Sequence, residues 1–183
     1  MEPFMSINEK TMFRKYLSNS KNYFEFGSGG STVWACNQNN IESITTVEND
    51  PVYIEKVKVA APRATIFEID MGVLTEGGHP VDRTNIKEWK LYWETWNKKP
   101  IEPDLVLVDG RFRVCCALTV ALSCNPHTRI LFHDFTIRPY YHCILLFFDI
   151  IEQKESLVVL RVKPDIHKGD IETIIKLFIY DSR

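Results

Sequence analysis

The motif E-x-G-x-G-x-S, from Glu25 to Ser31, is the first stretch of the chain whose residue types could hold a ligand. It follows the apolar run "YFEF" and precedes the predicted helix "STVWACNQ". Glycines between a strand and a helix let the backbone approach a ligand closely. The dinucleotide fingerprint G-x-G-x-x-G fails, because the sixth position from Gly27 is Thr32. The motif therefore favours a nucleotide-bearing cofactor other than a nicotinamide.

Acidic residues also follow the later predicted strands. Glu48 ends "SITTVE", Asp109 ends "DLVLVD", and His133 with Asp134 ends "RILFHD". The carboxyl ends of parallel strands lie at one edge of a sheet, so these side chains should converge beside the glycine-rich turn. A carboxylate at Glu48 can accept both hydroxyls of a ribose. We predict Asp109, His133 and Asp134 as the catalytic residues.

Two mechanisms fit this predicted catalytic group. Asp109 and Asp134 are hard oxygen donors suited to magnesium, manganese or calcium, and such a cation would favour the alkoxide of a substrate hydroxyl. Alternatively His133, with an ordinary pKa near about 6.5, takes the hydroxyl proton as a general base. Structural roles are also open: a satisfied half-buried imidazole for His133, a helix cap for Asp134, and a cofactor contact for Asp109.

The elements that must position these residues alternate between strand and helix. A first helix is predicted from the capping-box spacing of Ser6 and Glu9. Five apolar strands alternating with helices follow, and "YYHCILLFFDIIE" is predicted as a helix. The runs "SLVVLRVK" and "TIIKLFIYD" are predicted as strands that pair antiparallel. The pattern predicts a Rossmann-like, doubly wound α/β fold with a seven-stranded sheet, mostly parallel with an antiparallel C-terminal strand.

The segment 71–103 interrupts this alternation. It begins rich in glycine and proline and continues as a predicted helix that contains Trp89, Trp93 and Trp96. Long loops in compact domains tend to carry function, which favours a lid or a substrate-binding insertion. The alternative is an ordinary loop followed by a helix that packs its aromatic side chains on the sheet.

Composition limits the class of protein. With 183 residues, 45% of them hydrophobic, residues 1–183 are expected to form a single domain. A net charge of −2 disfavours a nucleic-acid partner, and no apolar run is long enough to span a membrane. Five cysteines without a C-x-x-C pair are typical of reduced thiols, so we expect a cytoplasmic protein.

The glycine-rich acidic turn, the acid at Glu48 and the order of elements together resemble the class I S-adenosylmethionine-dependent methyltransferases. The resemblance covers nearly the whole chain and implies S-adenosylmethionine as cofactor and S-adenosylhomocysteine as product. It implies that Glu25, Gly27 and Gly29 line the methionine and ribose, that Glu48 holds the ribose diol, and that Asp70 and Met71 lie near the adenine. The predicted cofactor-binding residues are Glu25, Gly27, Ser28, Gly29, Ser31, Thr32, Glu48, Asn49, Asp70, Met71 and Asp109.

The acids at Asp109 and Asp134 are similar in placement to those of metal-dependent O-methyltransferases acting on catechols and macrolide sugars. Those enzymes have an acidic pair or Asp-Asn after the fifth strand, whereas this chain has His-Asp, so one hard ligand is missing.

The set "EFGSGGST", "VEND", "LVDGRFRVCCAL" and "FHDF" also resembles small methyltransferase domains found beside glycosyltransferases, including those of giant algal viruses. This resemblance implies O-methylation of a sugar hydroxyl in a glycan, such as rhamnose, by a protein associated with glycosyltransferases, in the host cytoplasm if viral. The predicted substrate residues are Arg111, Arg113, His79 and Tyr140. For Arg111 and Arg113 the alternative is pairing with nearby carboxylates, and for Tyr140 the alternative to stacking on a sugar ring is packing, which is favoured. The alternatives are methylation of a small phenolic or other acceptor, and a non-catalytic domain that only binds the cofactor.

Overall fold

The computed structural model describes all residues from 1 to 183 and contains one seven-stranded sheet. Its strand order is β3-β2-β1-β4-β5-β7-β6. Strands β1 to β5 are parallel, β7 is antiparallel to β5, and β6 is antiparallel to β7. The strands are β1 Asn22–Phe26, β2 Ser43–Glu48, β3 Thr65–Glu68, β4 Leu105–Val108, β5 Arg129–Phe132, β6 Phe148–Lys154 and β7 Leu157–Val162. The predicted fold class is confirmed.

Six α-helices and two 3₁₀ helices, Thr95–Lys98 and Pro139–Leu146, surround this sheet. The α-helices are α1 Ile7–Ser18, α2 Gly30–Cys36, α3 Pro51–Ala60, α4 Lys90–Glu94, α5 Arg113–Ser123 and α6 Lys168–Phe178. The capping box at the start of α1 is confirmed, with the Glu9 amide donating to Ser6 Oγ at 3.2 Å. No helix combines the length and the apolar character that crossing a bilayer requires.

Each face of the sheet is covered by one hydrophobic cluster. Phe24 and Phe26 of β1 belong to the cluster that includes the buried residues of α5, while Tyr23 belongs to the cluster that includes those of α1 and α2. Both faces of β1 are therefore buried, as expected for a central strand of a parallel sheet.

The tryptophan-rich part of 71–103 packs into the core rather than facing a ligand. Trp89, Trp93 and Trp96 are each at most 5% exposed. The rings of Trp89 and Trp93 lie 5.7 and 5.2 Å from the ring of Phe112. For these three side chains the structure supports the packing interpretation.

The C-terminal third differs from the prediction. The run predicted as one helix, "YYHCILLFFDIIE", divides into the 3₁₀ helix Pro139–Leu146 and strand β6, while "TIIKLFIYD" lies mostly in helix α6. The antiparallel pair is therefore β6 and β7, joined at Glu155, whose φ of +49° permits the tight turn. In α6 the spacing of Ile171, Ile174, Ile175 and Phe178 is helical, and these residues pack on the core. The β-branched isoleucines and the aromatic Phe178 had favoured a strand.

The order in which strands are added to the sheet changes direction between β1 and β4. From β1 the sheet extends to β2 and β3 on one side, and to β4 and β5 on the other. A crevice forms at such a switch point outside the carboxyl ends of the strands, where ligands bind in open α/β folds.

Candidate active site

A cleft of about 460 Å³ opens at this switch point. It is lined by 23 residues, of which only four are hydrophobic, so its ligand must itself be largely polar. The lining comes from the loops after β1, β2, β4 and β5, from the segment 71–103, and from residues 1–4.

Gly27 and Gly110 bring the loops after β1 and β4 into direct backbone contact. A Cβ on Gly27 would lie 2.6 Å from Gly110 Cα, and Gly27 itself has a φ of +92°. A Cβ on Gly110 would overlap the hydroxyl of Tyr92, which is fully buried. These glycines therefore form the floor of the cleft by close approach of their backbones, and Gly27 also has a conformation that other residues rarely adopt.

Gly29 and Gly30 have different surroundings. A Cβ on Gly29 would meet nothing closer than Tyr53 Cε1 at 4.0 Å, so this position borders open space. A Cβ on Gly30 would overlap the backbone of Glu2. Glu2 and Pro3 therefore pack against the start of α2, and the Trp34 indole donates to Glu2 Oε1 at 3.2 Å.

Glu25 lies beneath the cleft and is fully buried. One of its carboxylate oxygens accepts from Ser31 Oγ and the other accepts from Thr32 Oγ1 at 2.6 Å. Burial raises the pKa of Glu25 to about 8, although both hydroxyl contacts oppose this shift. The side chain ties the start of α2 to β1.

Glu48 uses both carboxylate oxygens within the protein. Its Oε2 accepts from Ser28 N at 2.7 Å and Ser28 Oγ at 3.0 Å, and its Oε1 accepts from the amides of Asn49 and Asp50 at 2.8 and 3.0 Å. A carboxylate offers about four acceptor sites, and all are in use. Binding of a ribose diol by Glu48 therefore requires Ser28 to give up its contacts.

His133 lies between carboxylates from three segments. Its Nδ1 is 3.0 Å from Asp109 Oδ1 and 3.8 Å from Asp134 Oδ1, and its Nε2 is 3.5 Å from Glu9 Oε2 on α1. Burial lowers the pKa of His133, but the hydrogen bond and charge of Asp109 and the charge of Asp134 outweigh it, so the pKa rises above 6.5. The surrounding carboxylates therefore favour the imidazolium form of His133 over the neutral imidazole.

Arg113 links the two aspartates from below. It is only 3% exposed, and its guanidinium lies 3.1 Å from Asp109 Oδ1 and 3.2 Å from Asp134 Oδ2. It also donates to the carbonyls of Gly110 and His133 at 3.0 and 2.8 Å. Burial raises the pKa of Asp109, but Arg113 and His133 outweigh it, so the pKa is lowered.

This group fits a divalent cation poorly. One ligand atom from each of Asp109, His133 and Asp134 can be chosen so that all three lie within 4.8 Å of one another. However, Arg113 already supplies a positive charge to both carboxylates, and both ring nitrogens of His133 already face carboxylates of the protein.

A crystal structure of a methyltransferase-like protein from Silicibacter pomeroyi matches the whole chain. The two share 30% sequence identity with a TM-score of 0.86, and the match covers 98% of that protein. The chain belongs to this methyltransferase-like family. No protein-family model matches the chain. A search of curated proteins found no match.

Less similar structures share the class I fold of this family. A protein assigned as a caffeoyl-CoA O-methyltransferase from Staphylococcus aureus matches at 12% identity and a TM-score of 0.60, over 88% of this chain and 86% of that one. The N-methyltransferase NodS from Bradyrhizobium japonicum, in complex with S-adenosylhomocysteine, matches at 15% identity and a TM-score of 0.51, over 88% and 90% of the chains. The predicted class I fold is thereby confirmed.

Most of the residues predicted for the methyltransferase site line the cleft. They are Gly27, Ser28, Gly29, Ser31, Glu48, Asn49, Asp109, Arg111, Arg113, His133 and Asp134. Their roles toward cofactor and acceptor remain predictions. Arg113 is occupied by protein acceptors, which favours its alternative role as a partner of nearby carboxylates.

Six predicted residues lie outside the cleft lining: Glu25, Thr32, Asp70, Met71, His79 and Tyr140. Asp70 is exposed and accepts from the amide of Gly72 at 2.8 Å, which is ordinary turn chemistry. Met71 is 1% exposed and packs in the core, so neither side chain faces the cleft as the adenine prediction required.

His79 and Tyr140 contact other side chains of the protein and do not line the cleft. His79 contacts the guanidinium of Arg111 and lies 3.1 Å from Ser182 Oγ through Nδ1. Tyr140 packs against Tyr141 with ring centroids 4.6 Å apart and lies under the guanidinium of Arg183. Tyr140 therefore packs within the protein and does not line the cleft, as the packing alternative predicted.

Several residues of this methyltransferase site were missed in the sequence. Arg138 lines the cleft and pairs with Asp134 Oδ2 at 2.9 Å, and its spacing of four residues was the available signal. Gly110, directly after Asp109, was available from "VDG". Glu9 was recognised only as a helix cap, because nothing local indicates that α1 reaches His133.

Proposed function

We propose that the chain is an S-adenosylmethionine-dependent O-methyltransferase that acts on a sugar hydroxyl of a saccharide. The observation that carries the proposal is the polar cleft at the switch point of a methyltransferase-family fold, with Asp109 and Asp134 at its floor. Of the 23 residues that line the cleft, 19 are not hydrophobic. Such a lining suits a polyhydroxyl acceptor better than a flat phenolic ring.

The cofactor would occupy the part of the cleft beside β1 and β2. Gly29 borders open space there, and Ser28 and Glu48 line the same wall. The fold is shared with NodS, whose structure contains S-adenosylhomocysteine. When bound, S-adenosylmethionine supplies an electrophilic methyl group on a sulfonium sulfur.

Asp134 is the group that we assign as proton acceptor for the sugar hydroxyl. Its Oδ2 is paired with Arg113 and Arg138, whereas its Oδ1 has only His133 Nδ1 nearby, at 3.8 Å. Asp134 has a φ of +59°, a backbone conformation that is uncommon outside glycine and occurs at functional sites. As the hydroxyl oxygen bonds to the methyl carbon and the carbon–sulfur bond breaks, its proton passes to Asp134 Oδ1.

His133 would act as an imidazolium that positions Asp109 and Asp134, rather than as the base. Both of its ring nitrogens face carboxylates, so neither is free to take a proton from an acceptor. Together with Arg113, it fixes the positions of the two negatively charged carboxylates. Such preorganisation lowers the barrier because no reorientation is needed during transfer.

The methylation rate should depend on pH in opposite ways if His133 is a positioning imidazolium and if it is the general base. The folded pKa is raised, so the stability that His133 contributes is complete below about pH 6.5 and is lost as the pH rises through the folded pKa. We expect the methylation rate to fall over the same window, and the difference in unfolding free energy between wild type and His133→Gln to shrink. Comparing the two proteins at each pH removes the parallel contribution of Glu25. A rate that increases through this window would instead make His133 the base.

The proposed function is tested by methyl transfer to rhamnosides and to catechol, with EDTA present. We expect S-adenosylhomocysteine to bind with micromolar affinity, the sugar to be methylated, and the rate to be unchanged by EDTA. Asp134→Asn is the matched variant: it should bind S-adenosylhomocysteine normally and lose on the order of a hundredfold in rate. Folded protein that fails to bind S-adenosylhomocysteine would refute the proposal, and binding without any turnover would favour a non-catalytic domain.

A further inference from the structure

Arg111 is the cationic side chain of the cleft that lacks an acidic partner. Arg113 and Arg138, which line the same cleft, both form ion pairs with its aspartates. The guanidinium of Arg111 instead contacts the ring of His79. Burial and the neighbouring arginines lower the pKa of His79 to about 4, so this partner is neutral at physiological pH. The charge of Arg111 is therefore uncompensated by any ion pair.

Arg111 also has unused hydrogen-bond donors. Its Nη1 is the only side-chain nitrogen that has a partner, which leaves Nε and Nη2 without one. The fully buried side-chain atoms that lack a hydrogen-bond partner belong to Tyr23, Thr46 and Trp89. The free donors of Arg111 are not among them, so they are accessible to solvent. Because Arg111 lines the cleft, these donors are available to a ligand there.

The position of Arg111 is set by contacts on its backbone. Its amide donates to Tyr92 Oη at 3.2 Å, and its carbonyl accepts from Cys116 Sγ at 3.3 Å. A half-buried guanidinium with a free fork of donors is suited to a planar carboxylate or to a phosphate, which it binds through two parallel hydrogen bonds. Partial burial strengthens such an ion pair relative to one in water.

We propose that Arg111 is an anion-binding residue and that the acceptor, a sugar on the proposed function, carries a carboxylate or phosphate group that Arg111 binds. Uronic acids and sugar phosphates have this chemistry. The carboxylate of the cofactor's methionine is the second possible source of the same anion. The substrate part of the inference rests on the proposed function, whereas the anion site itself does not.

The test compares wild type, Arg111→Gln and Arg111→Lys by calorimetric titration. Protein saturated with S-adenosylhomocysteine is titrated with glucuronate, glucose 1-phosphate and neutral glucose. Free protein is titrated with S-adenosylhomocysteine and with 5′-methylthioadenosine, which lacks the carboxylate, and its melting temperature is measured with inorganic phosphate. Arg161→Gln on β7 removes one exposed arginine outside the cleft and serves as the control for net charge.

We expect wild type to bind the two anionic sugars at least about tenfold more tightly than glucose, and Arg111→Gln to lose this preference. If the cofactor supplies the anion, Arg111→Gln weakens S-adenosylhomocysteine about tenfold and leaves 5′-methylthioadenosine unchanged. Arg111→Lys should restore part of either effect, because it keeps the charge without the fork.

If wild type does not bind S-adenosylhomocysteine, the proposed function fails and the phosphate measurement decides the anion site alone. A phosphate-dependent rise in melting temperature that Arg111→Gln loses and Arg161→Gln keeps would support the site. Folded Arg111→Gln that matches wild type with every anionic probe would overturn the inference.

Discussion

Arg113→Met is expected to lower the free energy of unfolding by about 3 kcal/mol and to abolish methyl transfer. The substitution removes the buried guanidinium that contacts both Asp109 and Asp134, whose side chains are only 24% and 17% exposed. Two partly desolvated carboxylates then repel each other across the floor of the cleft. Urea unfolding of wild type and variant at neutral pH measures the loss.

Arg138→Met is the matched control for this prediction. Its side chain is 34% exposed and pairs with Asp134 but not with Asp109, so its loss should cost less than about 1 kcal/mol. Arg113→Lys should not restore stability, because an ammonium cannot contact both aspartates and the two carbonyls at once. Equal stabilities for Arg113→Met and Arg138→Met would contradict the role given to Arg113.

Two glycine substitutions should separate the fold from the cofactor site. Gly110→Ala should cost about 3 kcal/mol and prevent binding of S-adenosylhomocysteine, because its methyl group would overlap Tyr92 and lie 2.7 Å from Gly27 N. Tyr92 is fully buried and cannot move aside, so the loops after β1 and β4 must separate. Chemical unfolding and calorimetric titration measure the two effects.

Gly29→Ala is the counterpart that should spare the fold. Its methyl group would meet nothing closer than 4.0 Å, so stability should change by less than about 0.5 kcal/mol. The same methyl group would occupy the space that we assign to the cofactor, and S-adenosylhomocysteine should bind at least about tenfold more weakly. Unchanged affinity in this variant would place the cofactor elsewhere in the cleft.

The strand and helix pattern of the first two thirds was predictable because it depends on local spacing. Apolar runs bounded by turns indicated β1 to β5, and the capping residues Ser6 and Glu9 indicated α1. In the C-terminal third "SLVVLRVK" was correctly predicted as a strand, β7, whereas β6 and α6 were mispredicted because Ile and Phe are common in both strands and helices. There β6 exists only through its pairing with β7, and α6 through its packing on the core.

The site residues divide in the same way. Acids at strand ends were recognisable from the sequence, since parallel strands bring their carboxyl ends to one edge of the sheet. Met71 was predicted beside the adenine but packs in the core, because a sequence does not show which side of a turn faces a cleft and which faces the core. The contacts of Glu25 with Ser31 and Thr32 illustrate the same limit, because an acid in a glycine-rich turn can bind a ligand or its own loop.

The sequence by itself determined the parallel α/β sheet, the glycine-rich turn after β1, and the convergence of Asp109, His133 and Asp134 at one edge. These follow from residue spacing within single elements and from the geometry common to parallel sheets. Only the tertiary structure decided which charges are paired: Arg113 beneath two aspartates, Glu9 behind His133, and Arg111 left without an acidic partner. Charge pairing depends on distances of a few ångströms between elements that lie far apart in the chain, and these distances are set by packing.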